Sequence, residues 1–147
     1  MKMLYSLLLY IHVASVIISV GPFFLLLSLV RKMKTTVGDV TQAYLDTFRF
    51  SVRLAKHAGH VLVASGVGLI LAGHWTWTTP WILMTIIILV CSLLFLARAF
   101  TPTIRQFGEQ NVDRDVLVHK LKRAIWIYLT LLMIMLWFMV TKPVLWQ

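Results

Sequence analysis

Apolar residues in this chain gather into four long runs, and the polar positions between the runs are mostly basic. The first run is Leu4 to Val30. The others are centred on Val61 to Gly73, Trp81 to Ala97 and Ala124 to Val140. A helix needs ~20 apolar residues to cross a bilayer, and each run with its flanks reaches that length. The pattern predicts spans at about 4–30, 55–73, 80–99 and 121–141. The second is the least apolar, because its first turns carry Lys56, His57 and His60. Ahead of it, Val40, Tyr44 and Phe48 recur at helical spacing. Asp39 with Gln42 resembles a capping box, so an amphipathic helix is expected over about 39–54, either lying on the inner surface or extending the second span inward.

Smaller signals refine this outline. Gly21-Pro22 predicts a kink in the first span. Ala64, Gly68 and Ala72, four apart, predict a packing seam on the second. His74 to Thr79 forms a short loop whose tryptophans, with Trp81, make an interfacial aromatic belt. Pro80 suits the first turn of the third span, and Thr101-Pro102 marks its far end. Asn111 to Asp115 supplies capping residues for the fourth. The expected fold is all-α: one transmembrane domain over residues 1–147, an up-down-up-down four-helix bundle.

Composition agrees, with 147 residues, 60% of them hydrophobic and only 13% charged. The net charge of +9 would suit a nucleic-acid partner, but its placement points elsewhere. Twelve of the cations lie between spans one and two or between spans three and four, and only Lys2 and Lys142 lie at the opposite end. All five acidic residues share the basic loops. This positive-inside pattern puts both long loops in the cytoplasm and both termini outside, in a bacterial cytoplasmic membrane. The lipid bilayer is the expected partner, and nucleic acid is not. The first apolar run exceeds the ~7–15 residues of a signal-peptide core and reads as a retained helix. Cys91 is the single cysteine, so no intramolecular disulfide can form.

The five histidines carry the chemistry. An ionisable side chain within a span needs a partner and marks a functional position. Counting 1.5 Å per residue from Arg31 puts His12 about 28 Å away, near the outer edge, level with His74. His57, His60 and His119 form an inner tier. His12, Ser15 and Ser19 share one helical face. Arg49, Arg53, His57, His60 and Ala64 share another, and His119, Trp126 and Met133 a third. The first two read as polar stripes aimed at the bundle interior.

Neutral imidazoles facing one another inside a four-helix bundle suit haem b. The ligands and metal contacts expected are His12 and His60, with His57 and His119 following. Arg53 is the expected partner for an anionic propionate, with Arg49, Lys56, Lys122 and Arg123 nearby. Such a protein would be an iron-dependent oxidoreductase or electron carrier linked to a quinone pool. Two alternatives remain open. His12 with Met1, Met3, Met135 and Met139 would suit copper. A cofactor-free subunit would pack as a homo-oligomer or within a larger membrane complex. No paired carboxylates, phosphate-cradling glycine loop or HExxH motif is present.

The segment Tyr10-Ile-His12-Val-Ala-Ser-Val-Ile-Ile-Ser-Val-Gly21-Pro-Phe-Phe resembles the opening of several small membrane families. These are the CopD-type copper-resistance proteins, the HemJ-type protoporphyrinogen oxidases and related uncharacterised bacterial four-helix proteins. The resemblance implies a four-helix membrane fold and, from the HemJ-type side, a haem-ligand role for His12. It covers about fifteen residues and departs after Gly21: Ser19 or Val20 stands where a tryptophan is expected, and Leu27-Ser-Leu-Val-Arg31 replaces a proline-arginine element.

Overall fold

The computed structural model describes residues 2–36, 38–109 and 112–143. Met1 and Asn111, named above, lie outside the described residues. Helix α1 is Lys2–Met33, and α2 is Asp39–Ala72. The third span starts as α3, Pro80–Phe95, and passes through a π-helical turn, Leu96–Phe100, into α4, Thr101–Gln106. Helix α5 is Arg114–Thr141. All four long helical units are long and apolar enough to cross a membrane. The chain is a multi-pass membrane protein with the expected all-α bundle.

Local chemistry explains the departures from the outline. Helix α1 runs unbroken through Pro22. The third span continues past Pro102, because the wide π turn immediately before it accommodates a residue that cannot donate to Arg98. The capping box at Asp39 does not form. Gly38, at φ 83°, is the N-cap, and Thr41 N–H bonds to its carbonyl instead. At α5 the cap is Asp113, whose carboxylate accepts from Asp115 N–H at 3.1 Å. Helix α2 is continuous from Asp39, so of the two expected arrangements the amphipathic segment takes the one that extends the second span inward.

Three seams hold the bundle: α1 on α2, α3 on α5, and α1 on α5. The third span meets α2 mainly through the π turn and α4, at the basic end. The fourth flank, between α2 and α3 at the tryptophan end, is thinly packed. Gly59 marks where it closes, since a Cβ there would stand 3.0 Å from Leu93 Cδ2.

Side-chain contacts fix the depth of each helix. His12 meets Ser65 and Leu8 meets Gly68, so residue i of α1 lies level with about 77 − i of α2. The same count from Ser19 and Tyr128, and from Gly59 and Leu93, places α5 and α3. Arg53 of α2, Arg98 of α3 and Arg123 of α5 then share one level, with Phe24 of α1 beside them. From Arg53 to Gly73 is twenty residues of helix and turn, ~30 Å, the thickness of a hydrocarbon core. Leu25 to Met33 of α1 lies beyond this belt, on the basic side, so the first run is longer than the membrane it crosses.

The core is concentrated at and beyond the belt. Leu26, Val30, Met33, Leu45, Phe48, Ile104, Leu117 and Leu121 are all buried there. Phe23, Phe100 and Tyr128 form an aromatic layer at the belt, with ring centroids 4.5 to 6.2 Å apart, and a narrower part of the core continues past them through Leu62, Leu129, Leu132 and Met135. Next to water the hydrophobic effect drives helix association, whereas lipid supplies no such force. Each buried Leu or Phe there contributes ~1.5–3 kcal/mol. The chain thus clamps its helices together at the basic end. Arg114 reinforces the clamp by donating to Thr41 Oγ1 at 2.7 Å, and Thr41 donates in turn to Thr36 O.

Candidate functional site

The unclosed flank leaves a cavity of about 350 Å³ in the tryptophan half of the bundle. Helix α2 lines it with Leu62, Gly66 and Ile70, and α3 with Ile82, Thr85 and Leu89. Trp75, Trp77 and Trp81 stand at the mouth, with Lys142. The Lys142 Nζ lies 5.3 Å from the Trp75 ring centroid and 5.5 Å from that of Trp81, within cation–π range. Lys142 is a left-handed C-cap, φ 45°, whose N–H bonds to Phe138 O. That turn brings its side chain back over the cavity.

His12 is the histidine on the cavity wall. Its Nδ1 lies 3.1 Å from Ser65 Oγ. The Ser65 hydroxyl proton is committed to Leu62 O at 3.1 Å, so the Ser65 oxygen accepts and His12 Nδ1–H donates. The ring nitrogen left for a ligand is Nε2. Gly66 makes the approach possible, because a Cβ there would stand 3.3 Å from His12 Cε1 and 3.7 Å from Nδ1. Ser15 and Ser19 share the inward face as expected and are buried, Ser15 donating to Ile11 O and Ser19 meeting the Tyr128 hydroxyl at 3.4 Å.

The other expected residues are placed differently. Ser51, Ala55, Ala58, Gly59, Leu62 and Ser65 form the buried seam of α2. Arg49, Arg53, His57, His60 and Ala64 are all exposed, so that stripe faces outward. His60 is five residues from Ser65, about 140° around the helix, and is not brought to the cavity. His57 is likewise outside it. His119 is exposed at the basic end, its Nδ1 3.0 Å from Asp115 O. Arg53 is twelve residues from Ser65, ~18 Å towards the opposite end. His12 and His74 do not share a tier either: Ser65 lies eight residues, ~12 Å, below Gly73. The small-residue seam at Ala64, Gly68 and Ala72 reduces to Gly68, which packs on Leu8. Ala64 and Ala72 are exposed.

Sequence reading missed Ser65, Gly66 and Lys142. The signal for the first two was the Ala64-Ser65-Gly66 triplet, polar and small within an apolar run. Among the described residues, no three His, Cys, Asp or Glu side chains are grouped to hold a metal ion. No protein-family model matches the chain, and neither a curated protein nor a solved structure resembles it at a significant level.

Proposed function

We propose that the chain binds haem b in the cavity beside His12 and works in membrane redox chemistry in a bacterial cytoplasmic membrane, its basic end in the cytoplasm. The observation that carries this reading is the 3.1 Å contact of His12 Nδ1 with Ser65 Oγ, whose hydroxyl in turn donates to Leu62 O. A metal-binding histidine almost always donates its other ring N–H to a fixed acceptor, which sets the tautomer and the ring direction. The His12–Ser65–Leu62 chain has that form.

The donor set favours haem over a free ion. A lone imidazole holds a bare metal weakly, whereas haem iron arrives with four nitrogen ligands of its own and asks the protein for only one or two more. His12 Nε2 would supply one protein ligand to the iron. Met139, also on the cavity wall, has the residue type for a second. Lys142 at the mouth has the charge to hold a propionate, a role the sequence assigned to Arg53. The cavity is within the range of small-molecule sites, and it is open between α2 and α3. Bound haem would supply one-electron chemistry. The chain's own residues fix the imidazole, keep water from it and balance a carboxylate at the surface. A quinol could reach the open flank from the lipid. The HemJ-type resemblance of the first span assigns His12 the same part.

The test is an absorption spectrum of the detergent-purified protein supplied with haem. A Soret band that shifts on dithionite reduction and disappears in His12→Ala is the expected result. Copper by elemental analysis without a Soret band would favour the copper reading, with His12 and Met139. Neither signal, with a co-purifying membrane partner, would favour an accessory subunit.

A further inference from the structure

We infer that the outward face of α2 at the basic end is a binding site for the phosphodiester headgroups of anionic phospholipids in the adjoining leaflet. The buried seam of α2 fixes its direction. Taking 100° per residue, Ser51, Ala55, Ala58, Gly59, Leu62 and Ser65 cover an arc of ~120°. Arg49, Arg53, Lys56 and His60, spaced four, three and four apart, fall within ~60° on the opposite side. All four are exposed, and His57 is exposed beside them. This row is aimed away from every other helix of the bundle.

Depth makes the row a lipid contact rather than a solvated face. Arg53 is level with Arg98 and Arg123, the basic boundary of the ~30 Å span. Lys56 and His60 lie one and two turns into it, ~5 and ~10 Å. A charge there facing lipid must reach back to the headgroup layer along its stem or bring a counter-charge to itself. The protein provides little. Asp46 pairs with Arg49 at 2.9 Å, and the other ion pair found, Lys34 with Asp115, is remote from the row. Arg53 and Lys56 have no carboxylate within ion-pair reach among the described residues. At the same depth α1 offers Gly21 to Phe24, with no charge at all. Helices α3 and α5 each set one exposed arginine at the boundary, Arg98 and Arg123, and no basic residue farther into the span, so only α2 carries basic residues one and two turns inside it. A phosphate between Arg53 and Lys56 would receive charge-assisted bonds from both, and an imidazole N–H of His57 or His60 can donate to the same headgroup.

Native mass spectrometry tests this on the full chain, released from vesicles containing equal phosphatidylglycerol and phosphatidylcholine. The wild type should retain phosphatidylglycerol in excess, and the Arg53→Gln/Lys56→Gln variant should lose about thirtyfold in that preference. Both residues are exposed, so the fold should stand, and an unchanged Tm checks this. Arg105→Gln/Lys120→Gln, altered elsewhere on the basic end, should keep the excess. Equal retention of the two lipids by the wild type, or an undiminished excess in the first variant, would overturn the inference. Displacement of the lipid by millimolar inorganic phosphate would also overturn it, as the mark of a bare anion site. So would a dimer lost only in the first variant, which would assign the row to a second copy of the chain.

Discussion

Replacing Ser65 by alanine isolates the interaction on which the haem reading turns. The hydroxyl is 4% exposed and makes two bonds, from His12 Nδ1–H and to Leu62 O, both 3.1 Å. Deleting it removes the Ser65 acceptor of Nδ1–H and leaves only the Leu62 carbonyl nearby; a lost partner for a buried polar group costs up to ~1–3 kcal/mol. The ring relieves that cost by turning or by moving its proton to Nε2, and either change spoils the ligand. Loss of such an orienting partner typically weakens metal binding ~10–100-fold, or about 1.4–2.7 kcal/mol. The two figures agree. Alanine is also the better helix former, which offsets part of that cost, so thermal stability of the apoprotein should hold or fall slightly. The assay is titration of detergent-solubilised apoprotein with haem, followed at the Soret band, with Tm measured on the same samples. Ser65→Ala should raise Kd ~10–100-fold, and His12→Ala should abolish saturable binding. Wild-type affinity in Ser65→Ala would refute the proposed role of the relay even if His12 proved to be the ligand.

Other outcomes follow from the same geometry. His57→Ala, His60→Ala and His119→Ala should each leave haem content at the wild-type level, because none of the three rings lines the cavity; loss of the Soret band in any one would show a second site. Ile86→Trp should fill the cavity and block haem while the helical circular dichroism is unchanged. Gly73→Ala puts a methyl 2.6 Å from Trp75 Cδ1 and 2.9 Å from Leu69 O, so the indole must leave its place; a shifted tryptophan emission and a Tm several degrees lower are expected. Arg114→Ala and Thr41→Val should each cost about 1 kcal/mol, a charge-assisted bond discounted for partial exposure. Their double variant should cost little more than either alone in thermal denaturation, as expected for partners in one contact.

The four spans were legible because apolar length alone demands them. His12 was legible because it interrupts an otherwise apolar run. What the sequence could not supply was direction and register. Periodicity locates the stripe Arg49, Arg53, His57 and His60, but a stripe has no sign: in a helix half beyond the membrane, polar residues go outward and Ser51, Ala55 and Gly59 go inward. Depth failed for a related reason. Counting from Arg31 sets the inner boundary there, yet α1 overruns the belt by about two turns, and the contacts that set its register, Leu8 on Gly68 and His12 on Ser65, lie far apart in sequence. Lys142 was hidden because its position over the cavity depends on a left-handed turn after α5.

The uneven packing gives the molecule the build of forceps. One arm is the α1–α2 hairpin and the other is α3 with α5. The Phe23, Phe100 and Tyr128 rings sit where a pivot would be. His12 is eleven residues from Phe23, a lever of ~16 Å, so a rotation of only a few degrees at the rivet moves the tips by an ångström or more. Beyond the rivet the arms are still joined by Leu132 and Met135 of α5 against α1 and by Ser19 with Tyr128, so the gap between the tips lies on the α2–α3 side alone, facing the acyl chains.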